Sequence, residues 1–309
     1  MKIMKRNKKT GSVGKRRREE LRFLLWISPW LIGFVILTLL PLLGSLYISF
    51  TQWKIVSDPV WVGLENYIGL IEDEVFIKSL KVTFAYCAMT IPVSMLLSLG
   101  MAMLLNGDLP YAGILRTVYY LPSVVSNVAV SLLWGWILNF RFGLLNQILG
   151  IFGIQGPNWI GDEKWALIAL AIMSLWTVGG GIILYLAGLQ AVPWHLHEAA
   201  KIAGAGWWRR LFTITLPSMS PILFFSLLTN LIGGLQTFTS SYLMTEGGPN
   251  NATMFYALYI YNNAFRDHKM GKACALAWIL FIIIMILSVL MVKVTGPMVY
   301  YENDGGEDD

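Results

Sequence analysis

"VPWHLHEAAKIAGAGWWRRLFTITLP", residues 192–217, carries Glu198, Lys201, Arg209 and Arg210 between two long stretches that hold no charged residue. Where this segment lies relative to a membrane decides how the rest of the chain is read. Of 309 residues, 56% are hydrophobic and 13% charged, against roughly 25% charged in a soluble domain. Outward from the quoted segment, charge-free runs cover 165–197 and 211–245, then 23–53, 82–107, 117–140 and 273–292. Each holds the ~20 apolar residues of a spanning helix. The expectation is an all-α, polytopic membrane protein with six transmembrane helices, near 23–50, 78–105, 117–139, 165–187, 218–243 and 272–294.

A seventh charge-free run, "FGLLNQILGIFGIQGPNWIG" at 142–161, is interrupted by glycines and a Gly-Pro-Asn turn. It reads as an external loop with a short interfacial helix. The first run is too long for a signal-peptide core and no small-residue cleavage site follows it, so it remains a span. Cys87 and Cys274 lie within or at the edge of spans and imply no disulfide framework.

Lys and Arg counts orient the chain. Ten precede the first span, and Arg116, Lys201, Arg209, Arg210 and Lys293 fall on the same side; the other eight lie opposite. Three of those eight, Lys78, Lys81 and Lys272, stand at span entrances where they can snorkel. The N-terminus and C-terminus are therefore both placed inside, and the quoted segment is cytoplasmic. Residues 1–22 form a basic cytoplasmic tail whose "KRRR" at 15–18 suits lipid headgroups rather than nucleic acid. Residues 296–309 form an acidic cytoplasmic tail that reads as disordered.

What the spans lack narrows the function. They contain no Asp or Glu, which weighs against a carrier that couples to an ion or proton gradient. "GSVGKR" at 11 and "MGKA" at 270 have neither the spacing nor the hydroxyl of a phosphate-cradling loop, so ATP hydrolysis is not expected of this chain. His195 and His197 are two apart and point to different sides of a helix, with His268 across the membrane, so no metal site is expected. No catalytic grouping lies within the spans. The external connections, about 25 residues each, are too short for a substrate-binding domain, which leaves solute capture to a separate partner.

Within 192–217, Pro193 suits a first helical position and Gly204 a left-handed stop. Ala199, Ala200 and Ala203 offer a closely approachable face, and Glu198 can pair with Lys201. Trp207 and Trp208 suit the headgroup level, Arg209 and Arg210 the cytoplasm. Pro217 is expected to push Leu216 out of helical geometry. These features alone fit an amphipathic loop on the membrane as well as a docking element.

The spacing adds a resemblance. Glu198-Ala199-Ala200, three residues, Gly204, nine residues, Ile214, one residue, Leu216-Pro217 resembles the EAA loop of the membrane subunits of binding-protein-dependent ABC importers. "PLLGSLYISFTQW" at 41, "VGLENY" at 62, "LRTVYYLPSVVSNVAVSLLWGWI" at 115, "GLLNQIL" at 143, "YLMTEGGPNNAT" at 242 and "YIYNNAF" at 259 are similar to the carbohydrate-uptake branch, in particular to lactose and glycerol-3-phosphate type permease A subunits. The resemblance implies a type I importer permease fold in the cytoplasmic (inner) membrane of a bacterium or archaeon. It further implies a homologous second permease, two copies of an ABC ATPase that bind ATP and Mg, and an extracytoplasmic sugar-binding protein, with no cofactor on this chain.

In that family the loop at 190–217 couples to the ATPase, which would involve Glu198, Ala199, Ala200, Lys201, Ala203, Gly204, Ile214, Leu216 and Pro217. Ala203 departs from the acidic residue often found before the glycine. The family's motifs place the sugar route at Ser123, Asn127, Ser174 and Thr177 around Trp176, and at Asn230 and Gly234; Gln236 is added from polarity. Each also has a structural reading, because span Ser and Thr bond their own backbone and span Gly permits close packing. The cargo implied is an oligosaccharide. A glycerol-3-phosphate or polyol permease and a stand-alone carrier remain as alternatives.

Overall fold

The computed structural model describes residues 11–55, 57–107 and 110–296; residues 1–10 of the basic tail and 297–309 of the acidic tail lie outside these. Four helices are long and apolar enough to cross a membrane: Arg22–Ser49, Glu74–Leu105, Ser220–Met244 and Met270–Thr295. Two bent pairs, Ala112–Val124 with Asn127–Ile137 and Glu163–Leu175 with Gly179–Ala191, pass the same test together, which makes up to six among the described residues when each pair is counted as one span. The chain is an all-α membrane protein. The one sheet among the described residues is a two-residue ribbon pairing Thr51 with Trp61 and Gln52 with Val60.

The first candidate span, Arg22–Ser49, agrees with the expected start, although helix already begins at Gly11 within the tail. Two expected spans need correction. The stretch expected as one helix over 117–139 is two helices bent by 94°. Val125 and Ser126 are extended there, with ψ of 138° and 135°. Pro122 supplies no N–H to the ladder and Ser123 Oγ donates to the Tyr120 carbonyl at 2.7 Å, which weakens the last turn before the break. The stretch over 165–187 bends by 47° at Trp176–Val178, just ahead of three glycines. A Cβ on the first of these, Gly179, would lie 2.2 Å from the Tyr119 carbonyl oxygen, so the absence of a side chain lets the two bent spans touch.

At 142–161 the only helix is Leu144–Ile151, as the glycine-interrupted sequence suggested. Asn146 Oδ1 accepts from the Trp159 indole at 2.7 Å, which folds the loop back on itself.

Two buried clusters lie along the bundle. One, around Leu70, Tyr86, Phe255, Tyr256 and Leu276, fills the end near residue 74. The other, around Ala102, Leu105, Tyr185, Leu189 and Met219, fills the end near the quoted segment, where Arg116 Nη2 donates to the orphan Leu105 carbonyl at 3.0 Å.

At the first end the contacts are polar as well as apolar. Asp73 caps the Glu74–Leu105 helix, accepting from the Val75 and Phe76 amides at 2.9 and 3.1 Å. Its other oxygen takes Lys272 Nζ at 2.6 Å and the Tyr259 hydroxyl. Burial alone would raise this carboxyl's pKa, but the bonds from Lys272, Tyr259 and the Phe76 amide outweigh it and hold it below the usual value. Gly271 packs so closely that a Cβ would sit 1.8 Å from the Thr51 carbonyl oxygen.

Candidate functional site

Between the two clusters the spans enclose two adjoining cavities. One, of about 270 Å³, is lined from the Glu74–Leu105 helix by Tyr86, Thr90, Ser94 and Ser98. Spacing of four puts these residues on one face. Opposite stand Ser174, Thr177 and Tyr185, with Ser226, Asn230 and Gly234 from the Ser220–Leu235 helix. The second cavity, of about 300 Å³, shares Tyr86, Ser174, Thr177, Gly233 and Thr237 and adds Asn127, Ser131, Gln236 and Phe238. Every lining residue is uncharged.

Of the residues expected along the route, the two cavities bring together six: Ser174 and Thr177 in both, Asn230 and Gly234 in the first, Asn127 and Gln236 in the second. Ser123 and Trp176 line neither. Ser123 is occupied by Tyr120, and Trp176 meets Trp134 edge to face at 6.3 Å.

The structural roles are also present. Ser174 Oγ donates to the Ala171 carbonyl at 2.7 Å and Thr177 Oγ1 to the Ser174 carbonyl at 2.9 Å. A Cβ at Gly234 would lie 2.8 Å from Cys87 Sγ. Each hydroxyl oxygen keeps lone-pair capacity toward the cavity. Tyr185 OH donates to Ser226 Oγ at 2.7 Å, and Asn230 Nδ2 donates to the same oxygen at 3.2 Å. This joins the fourth and fifth spans and fixes the Asn230 amide at the wall.

Sequence reasoning missed the polar stripe Tyr86, Thr90, Ser94 and Ser98. Its four-residue spacing within an otherwise apolar helix was the available signal. Tyr185 and Ser226 had none, because their pairing crosses 41 positions.

The quoted segment lies at the other end. Its helix runs Trp194–Ile202, with Pro193 at the N-cap rather than the first helical position. Gly204 has φ of 77°, and its N–H donates to the Lys201 carbonyl at 3.0 Å while Ala205 N–H donates to the Ala200 carbonyl at 2.9 Å. These two bonds form a Schellman stop. His197 and Ala200 are half-buried, whereas Glu198, Ala199, Ile202 and Ala203 share an exposed face. Ile202 is 89% exposed. No ion pair joins Glu198 to Lys201 among the described residues, contrary to expectation.

His197 has a pKa below its ordinary value through burial first, then through Arg210 and Lys201. Trp207 and Trp208 pack edge to face at 4.5 Å, both exposed.

Leu216 also differs from expectation. Its φ and ψ are −64° and −43°, fully helical, and its N–H bonds to the Leu211 carbonyl. Residues Leu211–Thr215 form a π turn, whose extra residue relieves the clash Pro217 would otherwise make with the preceding turn. Helix therefore continues from Trp207 to Ser218, and after one turn residue, Met219, the Ser220–Leu235 helix of the fifth span follows, with Ile214 packed on the inner cluster.

Comparison with known proteins agrees with this layout. The family model for the binding-protein-dependent transport system inner membrane component matches residues 83–295. The chain is 36% identical to the "Probable ABC transporter permease protein YesP" of Bacillus subtilis, covering 96% of both chains. It is 32% identical to the trehalose/maltose transport system permease protein MalF of Thermococcus litoralis, covering 91% of this chain and 95% of that one. A crystal structure of a bacterial ABC transporter involved in import of the acidic polysaccharide alginate superposes with a TM-score of 0.81 at 21% identity, over 93% of this chain and 99% of that one.

Proposed function

Because the chain belongs to the family of binding-protein-dependent transport system inner membrane components, we propose that it is the sugar-translocating permease subunit of an ABC importer. Family membership makes it a multi-pass protein of the cytoplasmic (inner) membrane and a non-catalytic subunit. We assign its termini to the cytoplasm. An ATPase carrying ATP and Mg, present in two copies, grips the Trp194–Ile202 helix. A second homologous permease completes the pathway and an extracytoplasmic binding protein delivers the cargo, which is an oligosaccharide.

The observation that carries this reading is the exposed face of Glu198, Ala199, Ile202 and Ala203, a small-residue surface held rigid by the Schellman stop. An apolar side chain as exposed as Ile202, on a helix outside the spans, is suited to burial in a partner. Lys201 and Gly204 frame that face. After the stop at Gly204, Ile214, Leu216 and Pro217 lie in the helical segment Trp207–Ser218 that leads to the fifth span, so displacement of the loop pulls on the element that bears Asn230 and Gly234.

The cavity chemistry favours a neutral polyhydroxylated cargo. Ser174, Thr177, Asn127, Asn230 and Gln236 offer both donors and acceptors. A glycerol-3-phosphate cargo would call for a cation, and neither cavity has one on its wall. Gradient coupling has no carboxylate to use there.

The test is a detergent pull-down of the tagged wild type beside Glu198→Ala and Gly204→Pro, with ATPase activity assayed on the captured complex. The expected result is co-purification of a second permease and an ATPase stimulated by sugar-loaded binding protein, with stimulation lost in both variants. Purification of the chain alone, or full stimulation in both variants, would refute the reading.

A further inference from the structure

A third cavity lies beneath the loop helix, and neither the sugar route nor the docking face uses it. It measures about 450 Å³; Met103, Leu104 and Leu211 give it apolar surface, and His197, Trp207 and Arg210 give it polar groups. Gly100, which also lines it, Met103 and Leu104 point roughly 140–240° away from Ser98 around the Glu74–Leu105 helix. The cavity is therefore on the far side of that helix from the sugar cavity. His197 lies on the half-buried side of the loop helix, opposite Glu198 and Ile202, which places the cavity behind the docking face.

Three observations point to an anion with an apolar tail. Arg210 Nε is buried and finds no acceptor among the described residues, and an enclosed N–H of a charged group is costly to leave unpaired. Among the described residues no carboxylate lines the cavity. Burial first, then the charges of Arg210 and Lys201, lower the His197 pKa, so the positive potential on this side is uncompensated. A Cβ at Gly100 would meet nothing within 4 Å, whereas one at Gly181 would lie 2.7 Å from Ser98 Oγ. Gly100 thus keeps space open where close packing does not call for glycine. Leu104, 65% exposed, opens that space to the outside of the bundle.

We propose that this cavity binds the phosphate headgroup of an anionic phospholipid from the cytoplasmic leaflet, with Arg210 as its ionic partner and the acyl chains along Met103, Leu104 and Leu211. Basic pockets between spans at the cytoplasmic face take such headgroups. Trp207 suits the headgroup level, and its indole N–H and the one N–H of a neutral His197 add donors. A soluble phosphate would satisfy Arg210 but leave the apolar wall uncovered, whereas a lipid covers both. Bound there, the lipid braces the Trp194–Ile202 helix from behind and leaves its exposed face free. Only the choice of leaflet rests on the orientation assigned above; binding itself does not depend on the importer reading.

The test is native mass spectrometry of the full chain, purified in detergent with whatever subunits accompany it and titrated with dioleoyl phosphatidylglycerol or dioleoyl phosphatidylcholine. Inorganic phosphate and glycerol 3-phosphate serve as soluble competitors. Arg210→Gln removes the charge and keeps the space, Gly100→Phe fills the space and keeps the charge, and Arg210→Lys is the conservative change. Arg209→Gln, on the exposed side, matches the charge loss as a control. The expected result is a phosphatidylglycerol that phosphatidylcholine does not replace and neither soluble phosphate displaces. Arg210→Gln weakens its binding about tenfold, Gly100→Phe weakens it at least as much, Arg210→Lys retains most of it, and Arg209→Gln behaves as wild type. If Arg210→Gln does not fold, Gly100→Phe decides alone. Equal binding of the two lipids by the wild type, wild-type binding in Arg210→Gln or Gly100→Phe, or an equal loss in Arg209→Gln would overturn the proposal. Displacement by inorganic phosphate would also overturn it, leaving a site for a soluble anion.

Discussion

The two ends of the bundle are built on different principles. The end near residue 74 is cross-linked within the chain: Asp73 ties a helix start to Lys272 and Tyr259, Asn66 Nδ2 bonds the Ser49 and Thr51 carbonyls at 2.8 and 2.9 Å, and Thr253 Oγ1 bonds Thr245 and Gly248 at 2.7 Å each. The end that carries Trp194–Ile202 has a well-capped helix, yet nothing among the described residues covers the face of Glu198, Ala199, Ile202 and Ala203. The first end is tied together by these bonds between its own elements. The second is shaped in advance for contacts that another subunit supplies. Substitutions at the first should therefore lower stability with little change in coupling, and substitutions at the second should do the reverse.

The hardest test of that contrast is Asp73→Ala, which removes a cap and leaves Lys272 unpaired with only a quarter of its side chain exposed. Breaking such a pair costs about 3 kcal/mol, at the low end for buried pairs because the site is partly open. Thermal unfolding of the purified protein should shift down, and Asp73→Ala combined with Lys272→Met should recover part of the loss. Because the Asp73 pKa is lowered in the folded state, its stabilisation is full above the ordinary value of 3.8 and is lost as pH falls through the folded value. An Asp73→Ala stability curve flat over that acid range, where the wild type falls, would confirm the assignment.

Gly271→Ala comes next. The Thr51 backbone must move to admit the new methyl, at a cost of about 1–3 kcal/mol, again read in thermal unfolding. A wild-type unfolding temperature would show the first end to be softer than its contacts suggest.

Gly204→Val acts on the other end. A β-branched residue at φ of 77° costs about 1–2 kcal/mol, but the strain falls on a loop outside the buried clusters. ATPase stimulation should drop at least tenfold while the unfolding temperature of the isolated chain changes little. A large stability loss without loss of stimulation would reverse the contrast.

The smallest effect is in pH. His197 is neutral in the folded loop because burial and then Arg210 and Lys201 lower its pKa below 6.5. The unfolded loop binds the proton more readily, so acidification below 6.5 lowers the stability of the folded loop that must dock. Stimulated ATPase activity should fall modestly between pH 6.5 and 5.5, and His197→Gln should flatten that slope.

How much of this was legible in the sequence follows from range. Charge-free runs pointed to the apolar helices, since exclusion of charge is a property each residue expresses alone. The stop at Gly204 and the loop helix were readable because their bonds span three to five residues. The 94° bend at Val125–Ser126 was not, although Pro122 stands three residues earlier, because one proline can bend a span or be absorbed by it. Pro217 shows the second outcome: the π turn at Leu211–Thr215 absorbs it. Gln236 and Asn127 were named from polarity and family motif, yet Tyr185 and Ser226 required knowledge of which helices adjoin. Ser123 and Trp176 share the same motifs and stand off the cavities, since the bends carry them aside.

The π turn has a geometric consequence. It holds one more residue than an α-helix needs for the same path, and each α-helical residue advances 1.5 Å and turns about 100°. The direction in which the Trp207–Arg210 turn leaves the loop, relative to the wall that bears Asn230, is thus offset by a single surplus residue between Leu211 and Thr215. The segment works like the offset in a crankshaft: remove the surplus and the crank still turns, with its throw pointing the wrong way.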